Sequence, residues 1–468
     1  MAARQTEGLQ TQRLLLKGIG TLVTMVDGAP PLSGVDLLIE DGRIRAIGRD
    51  LEIAPGDDTR VIDGSNRVVY PGFINTPHHL FQTLTRNLPR VQNAELFDWL
   101  LGLYEVWRHL APDAVEVSTR VGIAELLLSG CTTTTDHFYL FPRDAPAELL
   151  DVAIDTAAEM GVRFHPTRGS MSRGRSAGGL PPDDTVQTAD QILRDCERLI
   201  DKYHDPAPFS MCRVALAPCS PFSVTTDLLV RTAELARERG VLLHTHLAEA
   251  RDEEEYCLAE HGLRPLAYME KTGWLGEDVW YAHGIWFDDA EIAQLAATGT
   301  NIAHCPASNL RLGSGICKVP QLLDAGVNVG LAVDGSASND ASSMTREMQL
   351  ALLVHRLGTG VGAMPAERVL RMATRGGAKL LGRQEIGRLE PGAAADLAVF
   401  RLDRVDFAGA MHDPAAAILY CGSGIRADYT IVAGRVLVEG GRLVGIDEER
   451  LFHRANEIAA RLVGMADA

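Results

Sequence analysis

Paired cysteines and long apolar stretches are both missing from this sequence. The eight cysteines are scattered and form no Cys-x-x-Cys pair, which predicts reduced thiols rather than a disulfide framework or a zinc knuckle. No apolar run approaches the ~18 residues that a membrane-spanning helix needs. Residues 1–12 are polar and lack the apolar core of a signal peptide. We therefore expect a cytoplasmic protein without a membrane partner.

Positive charge is also scarce. Lys and Arg number 45 against 62 Asp and Glu, which gives a net charge of −17. Binding to a nucleic-acid backbone needs clustered Lys and Arg, so no nucleic-acid partner is expected. If the substrate is a nucleobase, it should be a free small molecule. The sequence leaves open whether the chain forms a homo-oligomer.

A long alternation of strand and helix patterns occupies the middle of the chain. The absence of a G-x-G-x-x-G motif after the first strand argues against an open doubly wound sheet. Eight apolar strand patterns alternating with amphipathic helices, such as 226–239, instead predict a (β/α)8 barrel over residues 71–384. The predicted strands are 73–76, 132–136, 163–166, 213–217, 241–246, 279–283, 301–304 and 327–334.

The two ends of the chain share a pattern of short strands and tight turns. Asp41-Gly42 lies between two strand-like runs and is a strong hairpin signal. Strand-like runs and Gly-containing turns return near the C-terminus. We therefore predict an α/β protein in which residues 1–70 and 385–468 form one small composite β-sandwich domain beside the barrel.

Polar residues suited to hydrolysis follow the apolar runs of the predicted barrel strands. His246 ends one such run, Glu249 comes three residues later, and His283 and Asp334 end two others. Strand ends meet at one mouth of a barrel, so these side chains should converge. A carboxylate that closes an apolar run must be paired, metal-bound or catalytic, because burying it alone is too costly. Taken singly, each histidine could be a core residue and Asp334 a helix cap.

The first predicted barrel strand ends in Pro77-His78-His79. Residues 77 and 79 share one face of a regular strand, and His78 points the other way unless the strand bulges. Proline has no metal-binding side chain. A regular strand therefore offers one inward histidine, His79.

Together these motifs resemble those of the amidohydrolase superfamily. The resemblance is strongest to the branch that contains guanine deaminase, the adenosine-analogue deaminases and the triazine hydrolases. Residues 82–86, 96–100 and 130–137 resemble the 8-oxoguanine deaminases in particular. The superfamily motifs are His246-Leu247-Ala248-Glu249, Ala282-His283-Gly284, residues 304–309 and Val333-Asp334-Gly335.

The resemblance implies a role for each strand-end residue. His79, His246 and Asp334 correspond to metal ligands, and Asp334 also accepts the proton of the attacking water. Glu249 corresponds to the proton shuttle that protonates a ring nitrogen and helps deliver a proton to departing ammonia. His283 corresponds to an electrostatic partner of the developing charge.

The resemblance also sets expectations for the metal. Mononuclear members usually hold zinc, and the lack of a lysine on the predicted fourth strand implies one divalent metal, expected to be zinc. The first histidine of the superfamily His-x-His motif falls on Pro77. One ligand is therefore missing or replaced, and His78, brought inward by a bulge, is a candidate replacement.

Three further residues are candidates for the substrate pocket. Gln82 lies where guanine deaminases carry a glutamine that binds the purine edge, and an amide can both donate and accept hydrogen bonds. Cys219 and Trp99 are candidate pocket walls. Judged alone, Gln82 could be a solvated loop residue and the other two could be packing residues.

The expected function is hydrolytic deamination of a free aminopurine base with release of ammonia. 8-Oxoguanine is the first candidate, followed by guanine, isocytosine-like pyrimidines and pterins. A triazine-type amino- or chlorohydrolase is an alternative with the same site chemistry. A binding-only or inactive relative is an alternative of another class, because Pro77 replaces a ligand.

Overall fold

The fold is described by a computed structural model that covers residues 13–52 and 58–467. The polar segment 1–12, on which the expectation of no signal peptide rests, lies outside the described residues, as do residues 53–57 of the predicted small domain. Within the described ranges, no helix combines the length and the apolar character needed to cross a bilayer.

Eight parallel strands pair in chain order, and the first also pairs with the eighth, so that they close a barrel. The predicted (β/α)8 barrel is therefore confirmed. Because the strands run in one direction, all their C-terminal ends open at the same mouth. Barrel strands one to eight are Phe73–Asn75, Cys131–Phe138, Arg163–Ser170, Ala215–Pro218, Leu243–Leu247, Val279–His283, Asn301–His304 and Val329–Leu331.

Helices connect and surround the strands. Thr226–Arg239 begins and ends at the predicted residues, because the Thr225 hydroxyl accepts the Leu228 N–H and Gly240 adopts a left-handed conformation at the end. The α-helices are Leu96–Trp107, Pro112–Leu128, Leu149–Met160, Ala189–Tyr203, Thr226–Arg239, Arg251–His261, Pro265–Lys271, Asp289–Thr298, Pro306–Arg311, Val319–Asp324, Ser336–Asn339, Met344–Val354, Ala366–Arg371, Gly377–Leu380, Ala417–Tyr420 and Glu448–Asp467.

Two β-sheets form a small unit beside the barrel, and their inner faces share an apolar core that includes Leu16, Leu37, Val399 and Ile431. The first sheet contains Arg13–Ile19, Val35–Glu40, Arg43–Gly48 and Thr59–Asp63. The second contains Thr21–Leu22, Arg67–Pro71, Leu397–Arg401, Tyr429–Val432, Arg435–Glu439 and Arg442–Leu443. The second sheet thus combines strands from both ends of the chain. The division of the chain after residues 70 and 384 stays a prediction.

Several strand bounds shift by one to four residues from the predicted ones, and two further differences bear on the architecture. The eighth barrel strand was expected to continue to Asp334 but ends at Leu331, because Asp334 has a φ of 62° and leaves the extended conformation. Asp334 and Gly335 instead pair in parallel with His78 and His79. The chain also finishes in a 20-residue helix that was not predicted, Glu448–Asp467, which packs against the barrel helix Pro112–Leu128.

A buried ion pair joins the barrel to the small unit. Arg163 opens the third barrel strand, and its guanidinium donates to both carboxylate oxygens of Asp396, at 3.0 and 3.2 Å. Both side chains are at most 2% exposed. Asp396 also accepts the Ala433 N–H, at 2.7 Å. Asp396 therefore satisfies donors from the barrel and from the small unit at once.

Candidate active site

Five side chains predicted to act in the site lie together at the mouth of the barrel. His79 follows strand one, His246 lies in strand five, His283 ends strand six and Asp334 follows strand eight. Glu249 stands on the turn after strand five. Each of the five is at most 9% exposed. The convergence follows from the common direction of the strands.

The ring nitrogens of His79 and His246 are arranged as a metal requires. His79 Nδ1 lies 2.8 Å from the His137 carbonyl oxygen, and His246 Nδ1 lies 2.6 Å from the Cys219 carbonyl oxygen. Carbonyl oxygens only accept, so both Nδ1 atoms carry the proton and both Nε2 atoms present lone pairs. The two Nε2 atoms are 3.0 Å apart. Two lone pairs this close repel each other unless a cation lies between them.

Asp334 completes this donor group. Its Oδ1 lies 3.0 Å from His79 Nε2 and has no hydrogen-bond partner among the described residues. Its Oδ2 accepts hydrogen bonds from Ser308 and Ser338, at 2.5 and 3.1 Å. The two hydroxyl donors stabilise the ionised form of this carboxylate. An ionised carboxylate beside two bare imidazole nitrogens fits a divalent metal.

Glu249 and His283 stand beside this group. Glu249 Oε2 lies 3.3 Å from His283 Nε2, which is itself 4.0 Å from Asp334 Oδ2. His283 Nδ1 lies 2.8 Å from the Asn309 amide oxygen and therefore donates to it. Burial and the negative charge of Asp334 raise the pKa of Glu249 well above its ordinary value. The raised pKa favours the protonated form of Glu249, which can act as an acid.

The backbone that carries these groups is held in unusual conformations. Ala248, His283 and Asp334 have φ values of 54°, 74° and 62°, which cost roughly 1 kcal/mol or more each for residues other than glycine. The buried Glu253 carboxylate accepts the N–H groups of Ala248 and Glu249, at 2.9 and 3.0 Å. This contact fixes the turn that aims Glu249 into the site.

A small cavity lies above these residues. Gln82, Cys219 and Trp99 all line it, as the sequence predicts. Burial raises the pKa of Cys219 to about 12, so its thiol stays neutral. The lining residues are His79, Gln82, Leu96, Trp99, Leu100, Tyr139, Cys219, Ser220, Phe222, His246, Glu249, His283, Leu312, Asp334 and Ser338.

The Gln82 amide has a fixed orientation. Its Nε2 donates to the Tyr139 hydroxyl at 3.1 Å, and its Oε1 lies so close to Gly335 that a Cβ added there would be 1.8 Å away. Oε1 has no hydrogen-bond partner in the part of the chain that the structure describes. The Tyr139 hydroxyl accepts from Gln82, so its own proton is free for a ligand in the cavity.

Four residues in or beside the site were not predicted from the sequence: Tyr139, His137, Ser338 and Glu253. Tyr139 and His137 lie at the end of barrel strand two, where a threonine-rich run gave no apolar pattern by which to judge side-chain direction. His78, the candidate replacement ligand, is fully buried, and its Nε2 lies 2.9 Å from the Ser342 hydroxyl. This placement argues against His78 as a ligand.

Residues 68–437 match the sequence profile of the amidohydrolase family. The chain belongs to the amidohydrolase family. One relative in sequence is the 8-oxoguanine deaminase of Pseudomonas aeruginosa, which is 49% identical over 428 residues, or 91% of this chain and 94% of the relative. Another is the hydroxydechloroatrazine ethylaminohydrolase of Pseudomonas sp. strain ADP, which is 40% identical over 461 residues, or 96% and 95% of the two chains.

This amidohydrolase is also similar to solved structures. The zinc complex of atrazine chlorohydrolase from Arthrobacter aurescens TC1 superposes with a TM-score of 0.91 at 37% identity, covering 95% of this chain and 100% of that chain. The similarity confirms the predicted amidohydrolase fold. The named relatives are deaminases and hydrolases, and the prediction that this chain is a metal-dependent aminohydrolase is confirmed at that level.

Proposed function

We propose that this amidohydrolase removes the amino group of a free aminopurine base by hydrolysis, with 8-oxoguanine as the first candidate. The observation that carries the proposal is the position of two carboxyl groups, those of Glu249 and Asp334, beside the metal-binding imidazoles on the floor of a small cavity. Gln82 supplies a fixed amide at the wall of the same cavity. The relative that is 49% identical over nearly its whole length supports the same substrate.

One divalent metal, expected to be zinc, would be held by His79, His246 and Asp334. Three protein ligands are a common set for catalytic zinc. When bound, the metal supplies a Lewis acid that lowers the pKa of a water molecule. His137 and Cys219 accept the Nδ1 protons of the two histidines through their carbonyl oxygens and so fix the tautomer that such binding needs.

The chain's own groups move the protons. Asp334 takes a proton from water as the water oxygen bonds to the ring carbon that bears the amino group. Glu249 gives its proton to the adjacent ring nitrogen. Glu249 then takes the hydroxyl proton of the adduct and passes it to the amino group, which leaves as ammonia while the carbon–oxygen double bond forms. The proton on Asp334 returns to Glu249 and restores both groups. His283 stabilises the developing charge.

Gln82 and Tyr139 form the recognition edge of the cavity in this proposal. The free Gln82 Oε1 accepts a ring N–H, and the free Tyr139 proton is donated to a carbonyl or ring nitrogen. A lactam beside a ring nitrogen presents both partners: a ring N–H that donates and a carbonyl or ring nitrogen that accepts. Leu96, Trp99 and Phe222 supply apolar walls for a planar base.

A triazine-type hydrolase is the second candidate. The 40% identical ethylaminohydrolase and the atrazine chlorohydrolase structure favour it, and the same site chemistry would serve. The discriminating experiment is ammonia and chloride release across 8-oxoguanine, guanine, isocytosine, isoxanthopterin and amino- and chlorotriazines, with zinc supplied. Fastest turnover of 8-oxoguanine supports the first candidate. Turnover of triazines alone would replace the first candidate with the second. The absence of both turnover and bound metal would favour a binding-only protein.

A further inference from the structure

Position 77 leaves a gap in the family donor set. Pro77 is buried at the end of the first barrel strand and has no side-chain donor, and its carbonyl oxygen accepts the Asp334 N–H at 3.1 Å. The neighbouring His78 is held by Ser342. The first strand therefore contributes only His79 to the metal group.

A fourth imidazole approaches the group from the second barrel strand. His137 is fully buried, and its Nε2 lies 2.9 Å from the Ala217 carbonyl oxygen. The proton must therefore be on Nε2, and Nδ1 presents a lone pair. Nδ1 has no hydrogen-bond partner among the residues described. A bare, buried imidazole nitrogen is a ready metal ligand.

The geometry places this imidazole beside the other two. The His137 ring stacks on His246 with centroids 4.8 Å apart and lies 5.3 Å from the His79 ring. One ring nitrogen of each of the three histidines lies within 4.8 Å of the others. Nitrogen ligands of a tetrahedral zinc lie about 3.4 Å apart, so a small ring movement would bring His137 into bonding range.

We propose that His137 takes the place of the imidazole missing at position 77 and serves as a metal ligand in this chain. The proposal rests on the metal site of the proposed function. The donor set is then His79, His137, His246 and Asp334, again three imidazoles and one carboxylate. Substituting the His137 side chain leaves the His137 carbonyl in place, so the contact that orients His79 Nδ1 is retained.

The first test is zinc affinity of metal-stripped protein, measured by competition with a chromophoric chelator. Loss of an outer contact typically weakens metal binding about 10–100-fold, so His137→Gln should weaken it more than ~100-fold if His137 is a ligand. In the Pro77→His background the same change should weaken binding less than about tenfold, because the new imidazole fills the site. His78→Gln is the matched control and should stay within about twofold.

A second measurement uses the unaltered protein and does not depend on a variant folding. X-ray absorption of the zinc-loaded chain should count three imidazole ligands. A count of two imidazoles would overturn the assignment. So would a loss of zinc affinity on His137→Gln that is equal in the parent and in the Pro77→His background. Either result would leave the proposed function intact. Zinc binding by none of the proteins would overturn both proposals. If His78→Gln weakened zinc binding and His137→Gln did not, the ligand role would belong to His78.

Discussion

Glu249 is the side chain that moves protons to the ring nitrogen and to the departing amino group in the proposed reaction. Glu249→Gln keeps the size of the side chain and removes the proton. We expect kcat to fall at least ~10²-fold, the low end of general acid–base contributions, with zinc content unchanged. Steady-state ammonia release and metal analysis on the same preparation measure both quantities.

The exposed Glu255, two residues beyond the buried Glu253, provides the control for this prediction. Glu255→Gln should leave kcat unaltered. A Glu249→Gln enzyme with near-normal kcat would remove Glu249 from the mechanism. Because the pKa of Glu249 is raised and its protonated form acts in the proposed reaction, activity of the parent enzyme should decline on the alkaline side, as this group ionises.

Gln82 is the residue expected to choose the substrate. Gln82→Ala removes a buried amide that donates to Tyr139 and is proposed to accept a ring N–H of the base. Loss of that hydrogen bond to the base, worth ~1.4 kcal/mol, should raise KM for 8-oxoguanine roughly tenfold or more. Zinc stoichiometry should not change. Gln92→Ala is the control, since Gln92 is exposed and its side-chain amide donates to Asn87. Unchanged kinetics on every base would show that Gln82 does not touch the substrate.

The residues that could be foreseen from sequence share one property. His246, His283 and Asp334 each end an apolar run, so both their burial and their position at a strand end can be read from the pattern. His137 lies two positions after a run of four threonines, which conceals which face of the strand is inward. Glu253 stands in an acidic run of four residues, which is typical of an exposed helix start, yet it is fully buried.

At the scale of elements, the helices Leu149–Met160 and Ala189–Tyr203 are joined through one carboxylate. Asp151 accepts hydrogen bonds from Arg198, Lys202 and Tyr203, at 2.7 to 2.9 Å. Burial raises the pKa of Asp151, but these donors outweigh burial and lower the pKa to about 2. A lowered pKa stabilises the fold above the unfolded value near 3.8, and the stabilisation is lost as the pH falls through about 2.

Asp151→Asn should therefore lower the free energy of unfolding at pH 7 by about 1–2 kcal/mol, after allowance for the partly exposed partners. The difference from the parent should shrink as the pH falls below about 4. Urea unfolding of both proteins at several pH values measures this difference in the free energy of unfolding. Asp155→Asn on the same helix is the contrast: burial raises the pKa of Asp155, so its loss should not destabilise. A pH-independent Asp151 effect would contradict the ion-pair explanation.

At the scale of the whole molecule, the Arg163–Asp396 pair joins the barrel to the small unit. Asp396→Asn leaves a buried guanidinium without its counter-charge, and removing one partner of a buried pair costs about 3–5 kcal/mol. Urea unfolding followed by circular dichroism and by tryptophan fluorescence should show one shared transition at lower urea. Asp403→Asn, which breaks a surface pair with Arg401, should leave the midpoint in place. Two separate transitions in the parent would show that the units unfold independently.

The overall architecture could be predicted from the sequence more fully than the final helix and the turn at Asp334. Alternating strand and helix patterns specify a barrel because few other topologies bury eight parallel strands. The final helix, Glu448–Asp467, was missed because it follows a β-rich segment and buries only Ile458 and Leu462. The turn at Asp334 could not be foreseen either, because an apolar run predicts a continuing strand.

The pairing of Arg67–Pro71 with Leu397–Arg401 also determines the order in which the protein can be completed during synthesis. More than 300 residues separate these two strands, and a ribosome adding roughly 5–20 residues per second needs at least about 15 seconds to supply the second after the first. Throughout that interval the edge of Arg67–Pro71 that later meets Leu397–Arg401 lacks its partner, and unpaired edges invite association between chains. Nascent chains of this enzyme should therefore depend on chaperones until the last strands emerge.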